Sequence, residues 1–220
     1  MKKFAIIVAG GQGIRMQGTL PKQFLPLEGE PVLLHTLRRF QHPDISIILV
    51  MNPEYIEFWQ DLCNEHGQVP EHQLVKGGNT RALSVLNGLH SIQEEGLVAV
   101  HDAVRPLCSP ALIHRLYEEC TIHGSAIPVV PVKDTLRWID GDKSTTVPRD
   151  QYRAVQTPQV FRLSLLRAAF GIPDVEKYTD EASIFQAAGH PVHLSEGEES
   201  NIKLTVPADL ILAASFLRKI

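Results

Sequence analysis

Apolar residues in this chain fall into short, nearly unbroken runs separated by amphipathic stretches. FAIIVA (4–9), ISIILVM (45–51), LVAVH (97–101) and SAIPVVPV (125–132) are rich in β-branched residues. Runs of that length and character predict strands covered on both faces. Between them, residues 31–40, 53–67, 80–92 and 110–124 repeat apolar positions at helical spacing, and further helices are expected at 162–170, 180–189 and 207–219. NIKLT (201–205) is expected to form a strand. Alternating strands and helices make this an α/β chain, with a mostly parallel sheet between two helical layers.

The pattern changes from about 133 to 156. TLRWIDGDKSTTVPRDQYRAVQ reads as two polar strands around an Asp-Gly turn, with little to bury. Such a hairpin is poorly stable alone, so it is expected to lie against something else, a second subunit included. The organisation expected is one domain over 1–220, with 133–156 as an arm.

Composition narrows the options. With 220 residues and a net charge of −4, no nucleic-acid partner is expected, and any anion site must be a local cluster of cations. Cys63, Cys108 and Cys120 are odd in number and lack CxxC spacing, as expected of free thiols in a reducing compartment. MKKFAIIVA imitates a signal peptide, but its apolar run is short and breaks into glycines. No membrane segment is expected, and a cytoplasmic location is.

Chemistry concentrates just after the first strand, in AGGQGIRMQGTLPKQF (9–24). G-x-G-x-x-G fails at Met16, and the Walker pattern fails because Thr19 follows Gly18. What remains is a glycine-rich loop at the carboxyl end of a strand, where open α/β sheets bind ligands. Glycines there allow backbone N–H groups to approach a phosphate chain, while Arg15 and Lys22 add charge. A turn with two solvated cations is the plainer alternative, although R-M-x(5)-K-Q is denser than a turn requires. In GGNTRALSV (77–85), a glycine pair before a helix can face a pyrimidine edge, or can simply be a helix start capped by Asn79 or Thr80. In HDAVRP (101–106), Asp102 and Arg105 can bind hydroxyls and phosphate, or can pair with each other.

These segments together resemble the GT-A-like nucleotidyltransferases, and specifically the 2-C-methyl-D-erythritol 4-phosphate cytidylyltransferases. AGGQGIRM…PKQF, GGNTRALSVLNGL, VHDAVRP, PVKDT, VPRDQYRAVQTPQVF, TDEAS and NIKLTVPADL follow that family's order from the first strand to the last helix. The resemblance implies a Rossmann-like sheet with a protruding arm. It also implies transfer of CMP from CTP to a polyol phosphate in the non-mevalonate isoprenoid pathway. In such a reaction the attacking phosphate is already ionised, so the demand is for cations and N–H groups rather than for an acid–base pair.

By resemblance, Arg15, Lys22 and Lys203 act on the triphosphate and the pentavalent phosphorus. Ala9, Gly10, Gly11, Gly13, Gly78, Asn79 and Ser84 surround the nucleotide. Asp102, Arg105, Thr157 and Thr179 face the acceptor, and Thr135 and Arg149 reach it from the arm of a partner in a homodimer. Mg²⁺ is expected on the triphosphate, near Asp102, rather than in a protein cage. D-Ribitol 5-phosphate is the competing acceptor, and Gly10–Gly11 leans that way, whereas Ser84, TDEAS and TPQVF favour methylerythritol phosphate. A module without catalysis would lack one of Arg15, Lys22 or Lys203, and all are present. His101 and Trp59 with Phe58 are expected to be packing residues, the Cys108 thiol to be unreactive, and Glu196, Glu198 and Glu199 to form a solvated turn.

Overall fold

The computed structural model describes residues 1–10 and 20–218. Its strands and helices, in chain order, begin with β1 (Lys2–Ala9), β2 (Pro26–Leu27), β3 (Glu30–Pro31), α1 (Val32–Arg39), β4 (Ile45–Met51), α2 (Ile56–His66) and β5 (Gln73–Lys76). There follow α3 (Arg81–Ser91), β6 (Gly96–Asp102), α4 (Pro110–His123), β7 (Ser125–Pro131), β8 (Leu136–Asp140) and β9 (Lys143–Val147). The chain ends with β10 (Arg153–Val155), β11 (Gln159–Arg162), α5 (Leu163–Ala169), α6 (Glu181–Ala187), β12 (Leu194–Glu196) and α7 (Pro207–Leu217).

β5, β4, β1 and β6 form a parallel block, with β1 between β4 and β6. β11 then pairs antiparallel with β6 and β7, β10 pairs antiparallel with β7, and β12 runs parallel to β7. The four strands expected from the apolar runs form, as do the two of the arm, and β4 has the bounds read from its run. NIKLT does not form a strand. Its Leu204 N–H reaches the Val104 carbonyl at 2.9 Å, but no ladder develops, and the segment crosses the sheet end as an extended strap.

Alternate residues of β1 explain the two layers. Ala5, Ile7 and Ala9 join α1, α2 and α4 residues such as Leu37, Trp59 and Leu116 in one core. Phe4, Ile6 and Val8 join α3, α5 and α6 residues such as Val85, Leu166 and Phe185 in the other. Trp59 is buried as expected, whereas Phe58 is partly exposed and rests edge-on against Phe24. Tyr117 donates a 2.8 Å hydrogen bond from α4 to the buried Phe4 carbonyl, tying helix to strand.

β8 and β9 form their own two-stranded sheet, separate from the main one. Gly141 supplies the positive φ of 56° that the tight turn requires. Trp138 and Ile139 are largely exposed along this arm. At its base Lys133 pairs with Glu199 at 2.7 Å. Glu198, expected as part of a solvated turn, accepts instead from the Ser109 N–H that starts α4 at 3.0 Å.

β1 and β6 pair with Lys2 opposite Gly96, where a Cβ would lie 2.3 Å from the Lys2 carbonyl oxygen. Backbone cannot give way as a side chain can. Gly96→Ala is expected to lower stability by about 1–3 kcal/mol, read by urea denaturation, as overpacking does.

Candidate active site

β1 is the switch point of the sheet, with β4 and β5 on one side and β6 on the other. A crevice opens at the carboxyl ends of such strands because the connections leave in opposite directions. Here it is a cleft of about 980 Å³ between Gly10, the 77–81 loop, Asp102 and the 203–205 strap. A hollow of about 1020 Å³ at the opposite end of the sheet contains no lysine or arginine among its described lining residues, and includes Glu71 and Glu94. Only the first can receive a polyanion.

The loop over the cleft is shaped by Ser84. Its hydroxyl accepts from the Gly78 N–H at 3.1 Å and donates to the Thr80 carbonyl at 2.9 Å. A Cβ on Gly10 or Gly77 would lie 3.2 or 3.1 Å from the same hydroxyl, and one on Gly78 would meet Leu83 at 2.5 Å. Ser84 is thus buried beneath the loop and holds it in place, leaving Asn79 exposed at the rim. Thr80, not Asn79, caps α3, accepting from Leu83 N–H at 3.2 Å. The Ala9 carbonyl is engaged by the Gln23 side chain at 3.0 Å.

Asp102 ends β6, only 7% exposed, and is the electrostatic centre of the cleft. Lys203 Nζ lies 2.9 Å from Oδ2, Arg105 Nε 3.6 Å from Oδ2, and Arg81 Nη2 3.4 Å from Oδ1. Burial alone would raise its pKa. The three cations prevail and hold the carboxyl well below the usual range. Arg105 also donates to the Asn201 carbonyl at 2.7 Å, and Asn201 Nδ2 donates to the Thr157 carbonyl at 2.9 Å.

Lys22 donates to the Thr205 carbonyl at 2.7 Å, bringing it to the same strap as Lys203. Asp209, at the start of α7, fixes that strap by accepting from Thr205 N–H at 2.6 Å, Thr205 Oγ1 at 2.8 Å and Val206 N–H at 2.9 Å.

His101 is fully buried and structural. Its Nε2–H donates to the Arg105 carbonyl at 3.1 Å, and Nδ1 accepts from the Thr157 hydroxyl at 3.1 Å. Thr157 Oγ1 in turn accepts the Asp102 N–H at 3.1 Å, so this hydroxyl is engaged on both sides within the chain. Cys108 is buried and its thiol pushed up by burial, away from the thiolate.

The fold therefore brings Ala9, Gly10, Lys22, Gly78, Asn79, Asp102 and Lys203 to one cleft, with Arg105, Thr157 and Ser84 immediately behind it. Thr179 is exposed beside the start of α6. Thr135 and Arg149 are exposed on the arm, where Arg149 donates to the Lys133 carbonyl, and none of these three lines the cleft. Gly11, Gly13 and Arg15 lie outside the described residues. Sequence reading missed Arg81, Glu181, Asn201 and Asp209. A charged residue opening an apolar helix, as in PADLIL, was the available signal for Asp209.

A glycine loop over a parallel-sheet switch point, with Lys203, Arg105 and Arg81 gathered on one buried aspartate, is the kind of site a nucleotidyltransferase requires. Comparison with known proteins agrees. The profile of the family described as IspD, 2-C-methyl-D-erythritol 4-phosphate cytidylyltransferase, matches residues 4–219. A relative of that name in Bacteroides thetaiotaomicron is 49% identical over 99% of this chain and all of its own length. One from Porphyromonas gingivalis is 44% identical over 98% of each chain. The crystal structure of the Thermus thermophilus cytidylyltransferase superposes with a TM-score of 0.80 at 34% identity, covering 99% of this chain and all of that one. A synthase structure from Anaerococcus prevotii gives 0.84 at 31%, covering 99% and 96%. The chain belongs to the 2-C-methyl-D-erythritol 4-phosphate cytidylyltransferase family. It is a CTP-dependent cytidylyltransferase of isoprenoid biosynthesis.

His101 carries a pH prediction. Burial holds its pKa down at about 4, below the unfolded value of about 6.5. The unfolded chain therefore binds the extra proton between those values, and stability falls as pH drops through that window. The loss is on the order of 3 kcal/mol. Urea denaturation from pH 7 to 4.5 should show a shallower decline in His101→Asn than in the parent.

Proposed function

We propose that this cleft performs the transfer with Lys22 and Lys203 on the triphosphate, assisted by Arg15, and with Asp102 and Arg105 on the methylerythritol phosphate. The observation that carries this reading is the Lys203–Asp102 contact at 2.9 Å, on the strap whose Thr205 carbonyl also holds Lys22. The acceptor phosphate oxygen attacks the α-phosphorus of CTP, an O–P bond forms, and the bond to the leaving pyrophosphate breaks. A phosphate monoester is largely ionised at neutral pH, with a second pKa of about 6, so no side chain has to take a proton. The lysines instead stabilise negative charge as it spreads over the equatorial and leaving oxygens.

The pyrimidine lies against the 77–79 loop, with backbone groups from Ala9 to Gly11, Gly13 nearby, and Asn79 facing its edge. Ser84 acts from below by fixing the Gly78 N–H. Thr157 acts similarly, holding the backbone of Asp102, while Thr179 borders the acceptor side. A Mg²⁺ ion arriving with the triphosphate would find Asp102 among the groups lining the cleft. The cations around Asp102 favour its ionised form, so its carboxylate would be able to hold such an ion. When bound, the ion would neutralise triphosphate charge.

Two copies of the chain form the working enzyme. The arm buries little in its own subunit, and its exposed Trp138 and Ile139 need cover. Crossing to a second copy, it delivers Thr135 and Arg149 to that copy's acceptor side. No helix among the described residues is long and apolar enough to cross a membrane, and a cytoplasmic enzyme acting on two soluble phosphates fits that.

Lys22→Ala and Lys203→Ala should each reduce kcat by about two to three orders of magnitude without unfolding the protein, measured as pyrophosphate release with CTP and Mg²⁺. Near-normal kcat in either folded variant contradicts the assignment. Mixing inactive Lys22→Ala and Arg149→Ala subunits should restore activity if sites are shared. D-Ribitol 5-phosphate should be a poor acceptor beside 2-C-methyl-D-erythritol 4-phosphate, and the reverse preference would reassign the substrate.

A further inference from the structure

Glu181 is fully buried at the first position of α6, yet it has no part in the chemistry above. Its carboxylate receives both arms of the Arg81 fork, Nη1 to Oε1 at 2.6 Å and Nη2 to Oε2 at 3.0 Å. The same Nη2 is 3.4 Å from Asp102 Oδ1, beyond the usual hydrogen-bond range of about 2.7–3.2 Å. Asp102 Oδ2 is already engaged by Lys203 at 2.9 Å. Oδ1 is therefore the less engaged oxygen, and the group nearest to closing on it is a guanidinium drawn the other way.

Glu181 is firmly held. Gln159, from β11, accepts the Ala182 N–H at 2.9 Å and donates to Asp180 at 2.8 Å. Asp180 in turn caps α6 by accepting from Ser183 N–H at 3.0 Å. Stability alone does not account for such a pair, since buried ion pairs are often replaceable by neutral groups without loss. The alternative partner for Arg81 is Asp102, and a bidentate arginine–carboxylate pair there would block the carboxylate from any ligand.

We infer that Glu181 is a positioning residue that limits Arg81 to a single long contact with Asp102 and keeps its fork from closing there, leaving Oδ1 open to a hydroxyl of the acceptor. This rests on the reading that Asp102 faces the acceptor. Glu181 and Arg81 touch no reacting atom in this account. They set whether the aspartate can.

The test is steady-state kinetics on Glu181→Gln, on the double variant Arg81→Gln/Glu181→Gln, and on Asp102→Asn, with thermal denaturation of each. Glu181→Gln leaves Arg81 free to close on Asp102, so the acceptor KM should rise about tenfold while the CTP KM stays within about twofold. In the double variant the guanidinium is gone, and the acceptor KM should return to within about threefold of the parent, a coupling that a purely structural role does not produce.

An unchanged acceptor KM in folded Glu181→Gln, or a double variant as impaired as the single one, overturns the inference. If Asp102→Asn leaves the acceptor KM unchanged, the reading of Asp102 fails instead, and the inference with it. Should Glu181→Gln not fold, Glu181→Asp keeps the charge on a shorter stem and should raise the acceptor KM by a smaller factor. No rise there is likewise contradictory.

Discussion

A carboxylate buried at the end of a strand stays ionised only if positive charge surrounds it, because the low-dielectric interior penalises the lone anion by several kcal/mol. Asp102 imposes that condition on everything near it. Lys203 reaches it from the strap before α7, Arg105 from the loop after β6, and Arg81 from the first turn of α3. Three segments far apart in sequence converge on one oxygen pair. The convergence places cations at the cleft beyond the ends of β1 and β6.

The remaining polar structure serves to hold that arrangement. His101 and Thr157 fix the Asp102 backbone, with the imidazole kept neutral by burial, which outweighs the pull of the Arg105 carbonyl toward the charged form. Asp209 bends the strap so that Lys203 points inward and the Thr205 carbonyl meets Lys22. Ser84 sets the loop opposite from beneath. Lys22, Asp102 and the 77–79 loop are thus each held by a hydrogen bond to another segment. That accords with catalysis by preorganised charge, in which donors are positioned before the reaction rather than reorganised during it.

Much of this was legible in the chain. Unbroken apolar runs located β1, β4, β6 and β7 because strands covered on both faces need no polar alternation. Apolar positions at helical spacing located α3 and α4, and the Asp-Gly turn located the arm. β11 was missed because its QVFR is short and follows a proline, and β5 because a four-residue edge strand carries little pattern. NIKLT looked like a strand by composition, but its backbone meets the neighbouring loop in one hydrogen bond, from Leu204 N–H to the Val104 carbonyl, and no ladder develops. In the site, Lys22, Asp102 and Lys203 were visible as motif residues. Arg81 and Glu181 were not, because a buried ion pair between residues a hundred positions apart leaves no local signature. Ser84 and Thr157 were found, although the structure places both hydroxyls toward the protein.

The most direct measurement is the ionisation of Asp102 itself, followed by NMR on protein labelled with ¹³C at aspartate carboxyl groups and assigned by comparison with Asp102→Asn. The account predicts that the Asp102 carboxyl signal stays that of the ionised form down through pH 4, with no step in the ordinary aspartate range. A titration step near the unperturbed value of about 3.9 would mean that the three cations do not govern this carboxylate, and the organisation described above would be wrong.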